Sequence, residues 1–132
     1  MADEKRRTIL VVEDSPMMVR MYRLVLGTRF DVSFAADGAE GLDAAARNPE
    51  LDAVVVDVNM PNMDGLEFTR RLRGELGMTL VPVLVCSTEQ SEGDLAAARE
   101  AGADSFLPKP WTPPQLLHAL EALRARIPGE PR

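Results

Sequence analysis

Glu13 and Asp14 stand side by side after the apolar run ILVV, and Asp57 closes a second such run, AVVV. The hydroxyls of Ser87 and Thr88 close a third run, and Lys109 lies between two prolines. If those run ends meet, three carboxylates share one place. At about 4 Å and an effective dielectric near 20, each pair repels by roughly 4 kcal/mol, so the cluster requires protonation or a cation. Ligands that are all oxygen select Mg2+ or Mn2+. A metal, an ammonium at Lys109 and hydroxyl donors together are what a phosphoryl group needs. Asp57 is then the nucleophile of an aspartyl phosphate, with the metal and Lys109 stabilising the in-line transition state. Taken singly, each acid reads more readily as a loop or helix cap and Lys109 as a solvated lysine; their joint placement carries the chemical reading.

Other chemistries find no residues. The single cysteine, Cys86, makes no internal disulfide, and one Cys with one His cannot supply a structural zinc site. A Ser/His/Asp or Cys/His nucleophile would have to be built on His118, which sits in an apolar helical pattern far from any nucleophile in sequence. Fifteen basic against 21 acidic residues give a formal charge of −6, which repels nucleic acid, and Lys5, Arg6 and Arg7 are too short a run to reverse it. The start, MADEKRRTIL, has charges but no apolar stretch and cleavage site behind it, and no apolar run approaches the roughly 18 residues that span a bilayer. The expectation is neither secretion nor membrane insertion, and a cytoplasmic location, where a lone cysteine stays reduced. With 132 residues, 45% hydrophobic and 27% charged, the chain has room for one domain and one core.

The elements that must bring these residues together follow from periodicity. Thr8 to Glu13, Val32 to Ala35, Ala53 to Asp57, Val83 to Cys86 and Ser105 to Leu107 are short β-branched or apolar runs bounded by turn residues, hence strands. Between them apolar residues recur at threes and fours, as in Leu66, Thr69, Leu72, Leu76 and in Leu116, Leu120, Leu123, Ile127, hence helices. Ser15 before Pro16, and Asp37 with Glu40, Asp64 with Glu67 and Thr112 with Gln115 at capping-box spacing, mark helix starts; Ser91 with Asp94 is a weaker fifth. Each cap is worth about 1 kcal/mol. The chain reads as (βα)5, an α/β doubly wound parallel sheet in a three-layer sandwich. Its first strand is unbrokenly apolar and its second more mixed, which favours the flavodoxin-like order 2-1-3-4-5 with the second strand at the edge. In such sheets ligands bind outside the carboxyl ends of the strands where the order reverses, between strands one and three. Glu13, Asp14 and Asp57 fall there.

The assembled segments resemble the receiver domain of two-component response regulators, above all the single-domain chemotaxis (CheY-like) type. ILVVEDS at 9–15, DVNMPNMDGLE at 57–67, PVLVCST at 82–88 and AGADSFLPKPW at 101–111 carry the resemblance, which covers essentially the whole chain. It implies Asp57 as phosphoacceptor, Asp14 and Asp57 as direct Mg2+ ligands, Glu13 acting through water and Asn59 through its backbone carbonyl. It further implies Ser87 and Lys109 at the phosphate, a cis peptide between Lys109 and Pro110, and a histidine kinase or phosphotransfer protein as donor. Asn59 and Glu89 occupy the positions that tune dephosphorylation, in the combination of fast-resetting regulators.

Two positions depart from the family pattern. Phe106 replaces the common tyrosine of the hydroxyl–aromatic switch and has no ring hydroxyl to offer a partner. Thr88 replaces the usual Ala or Gly, and its bulk is expected to slow entry of a small donor or water. Phosphate on Asp57 would draw Ser87 inward, free space for Phe106, and bias helix four (roughly Ser91 to Ala101), strand five and helix five toward a partner-binding form. Met17, Met18, Met21 and Tyr22 give helix one more apolar surface than one buried stripe needs, a docking site for the kinase. Cys86 is expected as a buried small hydrophobe, His118 at the surface or boundary of helix five, and Trp111 as a packing residue near Lys109.

The expected layout is a charged lead at 1–7, a receiver domain at 8–127 and a tail at 128–132, with no output domain and output by contact with a downstream protein. The chain would be a signalling switch that catalyses only its own phosphorylation and dephosphorylation. Two rivals are weaker. An aspartyl phosphohydrolase of the haloacid-dehalogenase kind needs a second Asp where Asn59 stands, and a phosphate-independent binding module has no use for the full set of acids, hydroxyl and lysine.

Overall fold

A computed structural model describes residues 6–60 and 62–123. Strands β1 (Thr8–Val12), β2 (Asp31–Ala35), β3 (Ala53–Asp57), β4 (Val83–Ser87) and β5 (Ser105–Pro108) alternate with helices α1 (Pro16–Leu26), α2 (Gly38–Arg47), α3 (Gly65–Gly74), α4 (Glu92–Ala101) and α5 (Pro113–Ala122). All four strand pairings are parallel and the order is β2-β1-β3-β4-β5, as the hydrophobic pattern implies. Alternation along each strand feeds two cores. Leu10, Val12, Val54, Val56, Val83 and Val85 pack with Ala45 of α2, Phe68 and Leu72 of α3 and Ala98 of α4. Ile9, Val11, Ala53, Val55, Leu84 and Cys86 face the other way, onto Tyr22 and Leu26 of α1 and Leu116 and Leu120 of α5. Strand β3, buried at all five positions, needs both layers, whereas edge strand β2 alternates exposed and half-buried residues.

All five helix starts coincide with the marked residues, and two of the four expected capping boxes close. Full reciprocal capping boxes form at Ser91 with Asp94 and at Thr112 with Gln115. Glu67 instead pairs with Arg70 and Arg71, and Glu40 accepts from Ala36 N–H, so Asp64 and Asp37 cap alone. Helix α3 stops at Gly74, which leaves Leu76 beyond it, still packed against the core. Glu13 lies past the end of β1, although its N–H still bonds Ala35 O at 2.9 Å; β2 begins at Asp31, β4 runs on to Ser87 and β5 to Pro108. Ile127, the first five residues of the lead and the tail at 128–132 lie outside the described residues. Among the described residues no helix is long and apolar enough to cross a membrane.

Candidate functional site

Parallel strands end together, and here four of those ends make one rim. The register pairs Val12 with Val56 and Asp57 with Cys86, so the residues after β1, at the end of β3 and at the end of β4 converge. Carboxylate oxygens of Glu13, Asp14 and Asp57 lie within 4.8 Å of one another. Lys109, after β5, places Nζ 2.6 Å from Asp57 Oδ1 and 3.9 Å from Glu13 Oε1. Glu13 is 2% exposed and Asp57 3%, while Asp14 opens to solvent.

Backbone close approach sets this geometry. Gly65, the first residue of α3, sits against the end of β3: a Cβ on it would lie 2.4 Å from the Asp57 carbonyl oxygen. Its N–H reaches Val58 O at 3.1 Å, and Asp64 caps the helix that begins there. Lys109 is tied to the neighbouring strand by its N–H to Ser87 O at 2.8 Å, and its bond to Pro110 is cis.

The electrostatics favour a cation. Burial, with Asp57 and Asp14 adding to it, holds the Glu13 carboxyl above the ordinary value against the opposing Ser15 N–H and Lys109. Burial also opposes the Lys109 charge, but Asp57 and then Glu13 outweigh it and hold the ammonium above the usual lysine value. Glu13 Oε2 accepts from Ser15 N–H at 3.1 Å, whereas Oε1 is buried with no hydrogen-bond donor. A buried acceptor facing two further carboxylates is a donor set that fits a hard divalent ion.

Around this centre Ser87, Thr88, Asn59 and Glu89 fall on the same rim, and Phe106 lies within β5 opposite Val85. Ser87 is buried, its Oγ accepting from Glu89 N–H at 3.0 Å. Thr88 and Asn59 are exposed and opposite one another across the β3–β4 register, Asn59 Nδ2 reaching Thr88 Oγ1 at 3.5 Å; Glu89 is exposed beside them. Phe106 is half-buried and borders two clefts. One, of about 100 Å3, contains Ser87, Asn59 and Leu66; the other, of about 280 Å3, lies under Leu95 and Ala98 of α4.

Helix α1 needs a correction. Met17 and Met21 are exposed, as is Leu24, and Met18 is half-buried. Tyr22, expected on the same surface, is wholly inside: its hydroxyl donates to Cys86 Sγ at 3.5 Å and its ring meets that of Trp111 with centroids 5.0 Å apart. Helical spacing alone puts Tyr22 near Met18 and Met21, and only the sheet beneath decides which way the stripe turns. Met18 and Met21 remain at the rim, where they line an apolar groove with Thr88, Lys109, Pro110 and Trp111. Cys86 is fully buried and His118 exposed. Sequence reasoning passed over Arg73, which makes five contacts through its guanidinium, the most of any side chain among the described residues away from the rim; as the third arginine of the run RRLR it carries no pattern that sets it apart from Arg70 and Arg71.

Comparison with known proteins places the geometry. The family model for the response regulator receiver domain matches residues 9–121. The DNA-binding response regulator MtrA of Mycolicibacterium smegmatis is 34% identical over 130 residues, 98% of this chain and 55% of that protein. The chain thus spans about half the length of the first curated relatives it matches. Among solved structures, chemotaxis protein CheY4 of Vibrio cholerae superposes with TM-score 0.83 at 33% identity, covering 88% of this chain and 97% of that one. The receiver domain of sensor histidine kinase PA1611 from Pseudomonas aeruginosa, with a magnesium ion coordinated in its active site cleft, gives 0.80 at 28% identity, covering 88% and 95%.

Proposed function

The chain belongs to the response regulator receiver family, and from that premise we propose that it is a cytoplasmic switch of a two-component phosphorelay, with residues 8–127 as its receiver domain. The donor is the phosphohistidine of a histidine kinase or phosphotransfer protein. An Asp57 carboxylate oxygen attacks phosphorus, the P–N bond breaks, and its electron pair returns to the imidazole, which takes up a proton. Mg2+, or Mn2+ in its place, held by Asp14, Asp57, the Asn59 carbonyl and, through water, Glu13, would supply neutralising charge for the transferring group. Lys109 orients the acceptor oxygen it already touches and follows the charge onto the phosphoryl group, and Ser87 donates to a phosphoryl oxygen. Hydrolysis at Asp57 resets the switch, with Asn59, Glu89 and Thr88 governing access of water.

The signal leaves through α4, β5 and α5. Ser87 moving toward the phosphate enlarges the cleft on its side of Phe106, and the ring leaves the side lined by α4. Only Ala98 and Ala101 of α4 are fully buried, so the helix is lightly held. A tenfold change in its population needs about 1.4 kcal/mol. The recipient is a downstream protein, with no direct contact with nucleic acid and no membrane insertion.

One observation carries this reading: the 2.6 Å contact between Lys109 Nζ and a buried Asp57, with two further carboxylates alongside. Intact mass after incubation with Mg2+ and acetyl phosphate tests it. One phosphoryl adduct is expected, lost with chelator and in Asp57→Asn. A folded protein that gains no adduct from either acetyl phosphate or a phosphorylated histidine-containing donor overturns the reading.

A further inference from the structure

Arg73, in the last turn of α3, is 10% exposed at its side chain and uses all five of its N–H donors on the chain around it. Nε and Nη2 both reach the Gly102 carbonyl, at 3.1 and 2.8 Å; Nη1 reaches Met78 O at 2.8 Å and Val81 O at 2.6 Å; Nη2 also reaches Asp104 Oδ2 at 2.9 Å. Asp104 Oδ2 accepts from Val83 N–H as well, at the start of β4. One guanidinium therefore ties α3, the loop after it, β4 and the end of α4.

Gly102 is the point of attachment on α4. It adopts φ +111°, the left-handed conformation that ends a helix, and Ala103 N–H returns to Ala98 O to close the last turn. A Cβ on Gly102 would meet Arg73 Cγ at 2.8 Å, so the pin lies directly against it. Among the described residues the other end of α4 has nothing comparable: Ser91 and Asp94 cap it between themselves, both outside the core, with Gly93 between them.

Resting on the reading of α4 as the switching element, we propose that the C-terminal end of α4 is a fixed pivot pinned by Arg73. The rearrangement of α4 is then a swing of its N-terminal end about Gly102, in place of a shift of the whole helix. A lysine cannot substitute, since it has a compact ammonium where the pin requires a planar fork.

Hydrogen exchange on the full chain tests this in two arms. In the unphosphorylated protein, Arg73→Lys should speed exchange at 102–104 at least tenfold while 92–97 stays as in wild type. Asp104→Asn, a gentler change, should raise the same segment by less. Wild-type exchange at 102–104 in both folded variants overturns the pin. In the second arm, Mg2+ with beryllofluoride stands in for the phosphoryl group, and 19F NMR reports its binding. Exchange should change over 88–97 and hold at 102–104; an equal change in both segments overturns the pivot. A protein that shows no bound beryllofluoride argues against the receiver reading, and the first arm still judges the pin.

Discussion

Gly65→Ala is a small substitution with a large expected consequence. The added methyl would lie 2.4 Å from the Asp57 carbonyl oxygen, 2.9 Å from its carbon and 3.0 Å from Val58 Cα, all backbone atoms with no rotamer to yield. Alanine is favoured over glycine inside a helix by up to about 1 kcal/mol, and less at its first position. Overpacking typically costs about 1–3 kcal/mol, and a clash with strand backbone belongs at the upper end. The net expectation is a loss of roughly 2–3 kcal/mol by that balance. With a urea slope of about 1–3 kcal/mol/M for a small domain, the unfolding midpoint should fall by about 0.7–3 M. Because the strained atoms belong to the phosphoacceptor, its carboxylate should also leave its place beside Lys109. Acetyl phosphate labelling should then fall in conditions where the variant remains folded, by more than the unfolded fraction explains. A variant with wild-type midpoint and labelling rate would refute the claim that close backbone approach at Gly65 sets the position of Asp57.

Three further outcomes follow from the same structure. Lys109→Ala leaves Glu13 and Asp57 buried without their cation, a loss of about 3–5 kcal/mol when one partner of a buried pair is removed; its thermal midpoint should rise more on adding Mg2+ than that of wild type, and an equal rise counts against metal binding at these carboxylates. Thr88→Ala should speed acetyl phosphate labelling and adduct decay several-fold by clearing the residue that meets Asn59 over the rim, and unchanged rates remove Thr88 from control of access. Burial pushes the Cys86 thiol up to about 12 from an ordinary 9.0. The folded state thus resists its ionisation, and stability should fall between pH 9 and about 12 by up to roughly 1.4 kcal/mol per pH unit from this group. Cys86→Ala should flatten that part of the alkaline slope in urea titrations; an identical slope shows that the thiol does not contribute.

The fold was legible because its signals are local. Five apolar runs of the right length and five capping residues recur in strict alternation, and the unbroken hydrophobicity of ILVV against the mixed DVSFA places one strand inside and the other at the edge. The rim was legible because parallel strands deliver their ends to one side, so three acids and a lysine far apart in sequence had one place to meet. What depended on a second surface was not legible. Tyr22 turns inward because Cys86 and Trp111 wait beneath it, and helix periodicity holds no record of them. Glu67 left its expected capping role because Arg71, one turn along, offers a charged partner at 2.8 Å. Arg73 stayed hidden because four of its five contacts go to backbone carbonyls, which every residue has and no sequence displays, and its one carboxylate partner, Asp104, lies 31 residues away.

The Tyr22–Trp111 contact makes the molecule its own optical gauge. The chain has one tyrosine and one tryptophan, and the fold sets them ring to ring. Light absorbed by Tyr22 should pass to Trp111 by resonance transfer, so the native protein glows with indole emission alone. Tyrosine emission appears only when α1 parts from the segment after Lys109. Separation of those two segments is therefore readable without a label, in the same cuvette as any titration of the rim.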